Sequence, residues 1–337
     1  MKILSSGHHN PHFFTITEYI ESAIRNLGHD VSVFEDRQHV IPGRIRKRVP
    51  FLNQLDLKII NRKMLSLAKS CKPDIAIITG GNRIEVKTIR RLKRLGVITV
   101  LWTTDPAPYF ETLVTGAAFY DYIFCQGTEA VEMLARAGIK GAQWLPMACD
   151  PEYHHSVECT SADRKKYGSD IVFVGSYYPN RATLFEKLVD FNIAVWGPGW
   201  DALDRNSLLG RCIRGAHTTP NDWLKIYSAS KIVLATHYKD PQNRFPVYQA
   251  SPRIFEALAC RAFVLCDDQR DVFSLFQDGE DLVRFIDASD LMNKAKHYLA
   301  HPEERNKIAG MGNRNVLKNH TYTHRIRELF SKIGNRA

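Results

Sequence analysis

The sequence predicts an α/β protein of two doubly wound domains. Three observations carry that expectation. Short apolar runs alternate with stretches of helical periodicity from the first residues onward. The alternation breaks near residue 150 and starts again near residue 169. A length of 337 residues exceeds what a single hydrophobic core ordinarily fills.

The first domain is expected over residues 1–150. Residues 2–5 make a short strand. Thr15 and Glu18 have capping-box spacing, and Ile16, Ile20, Ala23, Ile24 and Leu27 then recur on one helical face until Gly28. Residues 30–34 form the next strand and complete a βαβ unit. Pro42, Gly43 and Pro50 act as breakers before a helix over residues 55–70. Strands at 74–79, 97–102, 120–125 and 143–145, with a short helix marked by Val86, Ile89 and Leu92, continue the pattern. Strands separated by helices imply a parallel sheet with helices on its faces.

A polar, irregular linker is expected over residues 151–168, and a second domain over 169–320. Its strands fall at 170–175, 193–196, 231–235, 262–266 and 282–285, and its helices at 181–190, 251–260, 289–299 and 303–319. A last helix is expected over 321–337.

Composition narrows the class. Hydrophobic residues make up 44% and charged residues 24%, ordinary values for a globular protein. No apolar run is long enough to span a bilayer, and the start Met1-Lys2-Ile3-Leu4 lacks the parts of a signal peptide, so the chain reads as cytoplasmic. Cys71, Cys125, Cys149, Cys159, Cys212, Cys260 and Cys266 are scattered, with no C-x-x-C pair, which favours reduced thiols over a disulfide framework or a zinc site. The net charge of +10 is uneven: residues 37–63 carry eight Lys+Arg against Asp56 alone, and residues 83–94 carry six against Glu85 alone. Arg44, Arg46, Lys47 and Arg48, followed by Phe51-Leu52, suit an anionic membrane surface or an anionic acceptor as well as a plain solvated face. Nucleic acid ranks behind these, since no nucleic-acid motif accompanies the charge.

The segment from Ser251 to Cys260 is where chemistry concentrates. Ser251 suits an N-cap and Pro252 the first helical position. The helix follows a strand, so its N-terminus should open at the carboxyl edge of the sheet, where open α/β sheets bind ligands. Free N–H groups there suit a pyrophosphate, and Arg253 adds a phosphate contact. Glu256, one turn on, is placed to accept hydrogen bonds from adjacent ribose hydroxyls. A surface Arg and Glu stabilising their own helix is the plainer alternative.

From Ser251 to Arg325 the chain resembles the C-terminal signature of GT-B glycosyltransferases, in particular the spore-maturation CgeB-like group related to GT4-type enzymes. The elements are Arg253-Ile254-Phe255-Glu256-Ala257-Leu258-Ala259-Cys260, Phe263-Val264-Leu265, Pro302-Glu303-Glu304-Arg305 and His320-Thr321-Tyr322-Thr323-His324-Arg325. The runs Asp170-Ile171-Val172-Phe173-Val174-Gly175-Ser176 and Leu145-Pro146-Met147-Ala148-Cys149-Asp150-Pro151 resemble the start of that group's second domain and the end of its first. The resemblance implies a GT-B fold: two Rossmann-like domains facing a central cleft, with a C-terminal helix crossing back to the first. It implies that Glu256 holds the donor ribose, that Gly175 and Ser176 let the diphosphate approach the backbone, and that Arg181 lies on the phosphates. Trp196-Gly197 either lines the base pocket or packs in the core. Tyr248 and Arg261 depart from the pattern, and at Tyr248 relatives carry a carboxylate.

In the first domain, Gly7, His8 and His9 follow the first strand without a G-x-G-x-x-G run, so a standard dinucleotide site is not expected. They face donor phosphate or acceptor in a GT-B arrangement, or are ordinary loop residues. Asp105, in Trp102-Thr103-Thr104-Asp105-Pro106, suits a general base or a group that orients the donor sugar, or a turn aspartate before proline. No nucleophile elbow, P-loop or Asp-x-Asp pair is present, and no metal or cofactor is expected. The leading expectation is a metal-independent, retaining glycosyltransferase using a nucleoside-diphosphate sugar, with UDP favoured. Its acceptor is open among a glycan, a lipid-linked glycan and a protein. The rival is a catalytically silent sugar-nucleotide-binding or scaffold protein.

Overall fold

The computed structural model describes residues 1–337 other than 12, 47, 105–109, 217, 241, 243 and 335–337. The chain forms two compact units, one of Met1–Pro146 with Arg325–Ala337 and one of Met147–His324.

In the first unit the chain runs β1 (Lys2–Gly7), α1 (Ile16–Asn26), β2 (Asp30–Glu35), α2 (Gly43–Arg46), α3 (Pro50–Cys71), β3 (Ile75–Thr79), α4 (Val86–Arg94), β4 (Ile98–Thr103), α5 (Phe110–Ala117), β5 (Tyr122–Cys125), α6 (Thr128–Arg136) and β6 (Ala142–Trp144). Among the described residues the strands make one parallel sheet in the order β2-β1-β3-β4-β5-β6. Leu4, Ala76, Ile78 and Leu101 fill one face of it under α3 and α4, through Ile60, Met64, Ile89 and Leu92. The Thr15–Glu18 capping box forms as the spacing predicts, and it fixes the start of α1. Pro50, expected as a breaker, instead opens α3, because its missing N–H is no loss in a first turn.

The second unit runs α7 (Ser161–Tyr167), β7 (Ile171–Val174), α8 (Pro179–Phe185), β8 (Ile193–Trp196), β9 (Ile213–Gly215), α9 (Pro220–Ala229), β10 (Ile232–Ala235), α10 (Pro252–Ala259), β11 (Val264–Asp267), α11 (Arg270–Leu275), β12 (Val283–Phe285), α12 (Ala288–Ala300) and α13 (Pro302–Asn319). Its described strands form a second parallel sheet, ordered β12-β11-β10-β7-β8-β9. The linker expected to be irregular contains α7, held by a Thr160–Asp163 capping box that was too short and polar to show by periodicity. The last helix, α14 (Tyr322–Gly334), joins the first unit from Arg325 onward. There the Arg325 Nε–H donates to the Pro146 carbonyl at 2.9 Å, and the Tyr122 hydroxyl donates to the Ile333 carbonyl at 3.2 Å.

Candidate functional site

The strand order of the second sheet reverses between β7 and β10: the chain winds from β7 to β9 on one side and from β10 to β12 on the other. Connections leave in opposite directions there and open a crevice beyond the carboxyl ends of the strands. The expected donor residues Gly175, Ser176, Arg181 and Arg253 collect at this point.

Two guanidinium groups brace the crevice. Arg181, 5% exposed, donates from Nη1 to the Ser176 carbonyl at 2.7 Å and from Nη2 to the Thr236 carbonyl at 2.8 Å. Its Nε is buried without a hydrogen-bond partner among the described residues. Arg253 donates from Nε to the Val174 carbonyl and lies 3.5 Å from the Thr236 carbonyl. Both guanidiniums stand over the Phe173 ring, at 4.9 and 4.7 Å. Burial, and then the Arg253 charge, lower the Arg181 pKa to about 9. No described carboxylate forms a salt bridge with either arginine; each is held by carbonyls and ring faces. A pair of like charges held this way is stabilised by an anion. The resemblance implies that Arg181 lies directly on the phosphates. Here two of its nitrogens hold loop carbonyls, and Arg253 is the more accessible cation.

The glycines make the approach close. A Cβ on Gly175 would lie 2.3 Å from Arg253 Nη2. At Gly197, φ is +133° and a Cβ would lie 2.2 Å from the Gly175 carbonyl oxygen. That carbonyl accepts the indole N–H of Trp200 at 2.8 Å, a buried anchor that sequence reasoning missed. Trp196 is buried, tilted against Tyr167 at 6.1 Å, and its indole N–H has no partner among the described residues.

Helix α10 presents its first turn to the same edge. Ser251 is its N-cap, yet its hydroxyl makes no cap bond. The Ser251 N–H donates instead to His237 Nε2 at 3.0 Å. His237 in turn donates from Nδ1 to Asp267 Oδ1 at 2.6 Å and from its backbone N–H to Oδ2 at 2.9 Å. Burial alone would raise the Asp267 carboxyl; the contacts with His237 outweigh it and hold it below its ordinary value. His237 lies just beyond β10 and Asp267 ends the neighbouring β11, so strand pairing brings them together.

Glu256, on the next turn, is half-buried and has no hydrogen bond or salt bridge among the described residues. Burial raises its pKa to about 7, against the nearby Arg253 charge, which lowers it. It is a carboxylate at the edge of ionisation with its lone pairs unspent. At the departing position Tyr248, the Arg270 guanidinium lies 3.8 Å over the ring.

In the first unit, Gly7 is a packing glycine: a Cβ there would lie 2.5 Å from Thr17 Oγ1 and 2.6 Å from Thr79 Oγ1. His9 is locked, with Nε2 2.9 Å from Glu21 and Nδ1 3.1 Å from Glu35, which leaves no ring nitrogen for a ligand. Burial would lower its pKa, but Glu21, with Glu18 and Glu35, outweighs it and raises the pKa to about 9. His8 lies 3.8 Å from Glu35, and its Nδ1 has no hydrogen-bond partner among the described residues. Asp105 lies outside the described residues. Asp36, which the sequence reading passed over, is buried without a side-chain hydrogen bond among the described residues; burial and then the Glu35 charge raise its pKa to about 6.

Two described clusters have metal-ligand chemistry. His237, Cys266 and Asp267 have donor atoms within 4.8 Å of one another, but both His237 nitrogens are already engaged. His297, His301 and Glu304 are exposed, with His297 bonded to Glu304 at 2.9 Å.

Solved proteins share this architecture. Sucrose-phosphate synthase from Thermosynechococcus elongatus superposes with a TM-score of 0.70 at 12% identity, covering 100% of both chains. HepE of Anabaena, in complex with UDP-glucose, gives a TM-score of 0.67 at 12% identity over 99% of this chain and 100% of its own. At such identity the likeness shows the fold, and the fold is GT-B. The Glycosyl transferase-like family matches residues 181–331. That match and the shared architecture support a glycosyltransferase of GT-B fold. Within that class the chain is similar to the spore protein CgeB of Bacillus subtilis, with 22% identity over 262 residues, 74% of this chain and 80% of CgeB.

Proposed function

We propose that the chain transfers a sugar from a nucleoside-diphosphate sugar, UDP-linked by preference, to an acceptor hydroxyl. The observation that carries the reading is Glu256, a carboxylate without a hydrogen bond or salt bridge among the described residues, one turn along α10 from Arg253 and beside two arginines that form no salt bridge among those residues. Glu256 takes the ribose diol. The guanidiniums and the α10 N-terminus meet the charge that grows on the departing diphosphate, so no metal is called for. HepE, which shares the fold, is solved with UDP-glucose, and this favours uridine. Retention of anomeric configuration follows the resemblance to GT4-type enzymes, with the leaving phosphate taking the acceptor proton. Asp105 and His8 remain the candidates for orienting donor sugar or acceptor, and the first unit is assigned to the acceptor.

Thermal-shift measurements with UDP, GDP and their sugars test this, since a ligand bound only by the native state raises apparent stability. A rise with UDP-sugars, and release of UDP in the presence of a glycan, lipid-linked glycan or protein acceptor, is the expected result. No shift with any nucleotide overturns it. The Arg270–Tyr248 contact, where relatives carry a carboxylate, favours one rival reading, a silent sugar-nucleotide binder. Tight binding with no turnover of any donor would select that rival.

We further propose that α2 and the start of α3 dock on an anionic membrane. Phe51, Ile45 and Val49 are 66%, 53% and 42% exposed, beside the exposed Arg44 and Arg48. Asp56, the lone acid of residues 37–63, is turned inward onto His39, Arg46 and the Val40 and Ile41 amides, so the outer face keeps cations and apolar groups. Arg46, expected on that face, is spent on Asp56 at 3.0 Å, and Lys47 lies outside the described residues. Flotation with anionic but not neutral vesicles is expected; equal binding to both sinks the electrostatic version. No described helix is long and apolar enough to cross a membrane.

A further inference from the structure

We propose that His237 and Asp267 are positioning residues that aim the first turn of α10 at the donor diphosphate; this rests on the donor reading above. A helix start normally satisfies its own amides through its N-cap side chain. Here that device is missing, since the Ser251 hydroxyl makes no cap bond. The N-cap residue is held through its backbone instead, by Ser251 N–H to His237 Nε2 at 3.0 Å. Because Nε2 accepts, the ring proton sits on Nδ1, and Asp267 Oδ1 at 2.6 Å keeps it there. His237 is 2% exposed, so the ring cannot swing away to solvent.

The same stretch of backbone reaches the rest of the crevice. The Thr236 carbonyl receives Arg181 and Arg253, and the His237 carbonyl receives the Asn180 amide at 3.1 Å. One side-chain pair therefore sets the helix start, and the adjoining backbone sets both cations. The consequence is specific. Loosening the pair tilts the turn that faces the diphosphate, while the ribose carboxylate of Glu256 lies a turn further along.

The test compares UDP with uridine by calorimetry. His237→Asn keeps a donor for Asp267 but loses the acceptor for Ser251. Ser251→Pro deletes the same contact from the other side without touching the core, because φ at Ser251 is −61°, a value proline adopts unstrained. Ser251→Ala removes only the hydroxyl and is the reference. The expected result is a roughly ten-fold loss of UDP affinity in both His237→Asn and Ser251→Pro relative to Ser251→Ala, with uridine affinity changed about two-fold or less. Overall destabilisation would weaken both ligands alike, so the ratio separates positioning from stability. An unchanged UDP-to-uridine ratio in Ser251→Pro overturns the positioning role. Absence of UDP binding by the wild-type protein removes the donor site itself, a different failure that wild-type titration alone reveals.

Discussion

Replacing Glu256 with glutamine should make the protein more stable and a poorer nucleotide binder at the same time. The wild-type carboxyl has its pKa raised from an ordinary 4.5 to about 7. That shift, at about 1.4 kcal/mol per unit, sets a ceiling of about 3 kcal/mol on what ionising Glu256 costs the fold above neutrality. The side chain is half-buried rather than sealed, so about 1–2 kcal/mol is the working figure. The sign follows from the raised pKa: the stabilising contribution is complete below pH 4.5 and is lost as pH rises through about 7. Glutamine carries no such loss. Urea denaturation should therefore show Glu256→Gln about equal to wild type at pH 4.5 and more stable at pH 8. Binding runs the other way. An amide offers one acceptor where the carboxylate offers two, and a charge-assisted bond becomes neutral, which amounts to about 1.5 kcal/mol or ten-fold in UDP affinity. Wild-type UDP affinity should also weaken below pH 7, and the variant should not follow it. A variant less stable than wild type at pH 8, or one that binds UDP unchanged, refutes the reasoning, because Glu256 would then be paired within the fold.

Arg253→Ala should weaken UDP by at least about ten-fold while leaving uridine nearly unaffected, since it removes a charge-assisted phosphate contact; calorimetry with both ligands checks this. Gly197→Ala forces a Cβ to within 2.2 Å of the Gly175 carbonyl at a φ of +133°, and should cost about 2–4 kcal/mol in urea denaturation. His9 contributes stability that is full below pH 6.5 and lost as pH rises through about 9. His9→Gln should therefore flatten the stability profile of the first unit between pH 6.5 and 9.5, and a profile that keeps the wild-type slope assigns the dependence elsewhere.

Much of the fold was legible because local chemistry and pattern agreed. The Thr15–Glu18 box, the apolar strand runs and the Ser251-Pro252 start all mark elements that form where they are read. Helix α7 escaped because it is short and polar; α9 has an apolar face through Leu224, Ile226 and Tyr227, and its start is marked by the Thr219–Asp222 capping box and Pro220. Arg253 and Glu256 were legible from their place on one helix. His237 and Asp267 were not, because their bond spans neighbouring strands and depends on β10 pairing with β11, which the residues do not announce. His9 misled for a similar reason. Nothing in its own loop shows that Glu21 of α1 and Glu35 of β2 close on both ring nitrogens.

The two arginines at the β7–β10 reversal have a practical consequence at the bench. Sulfate or phosphate in a storage buffer will settle against them, raise the melting temperature by mass action and compete with the donor. Nucleotide affinities measured in phosphate will come out weaker than those in an uncharged or bulky-ion buffer. The gap between the two measures how much of the donor's grip is owed to its charge rather than to its ribose.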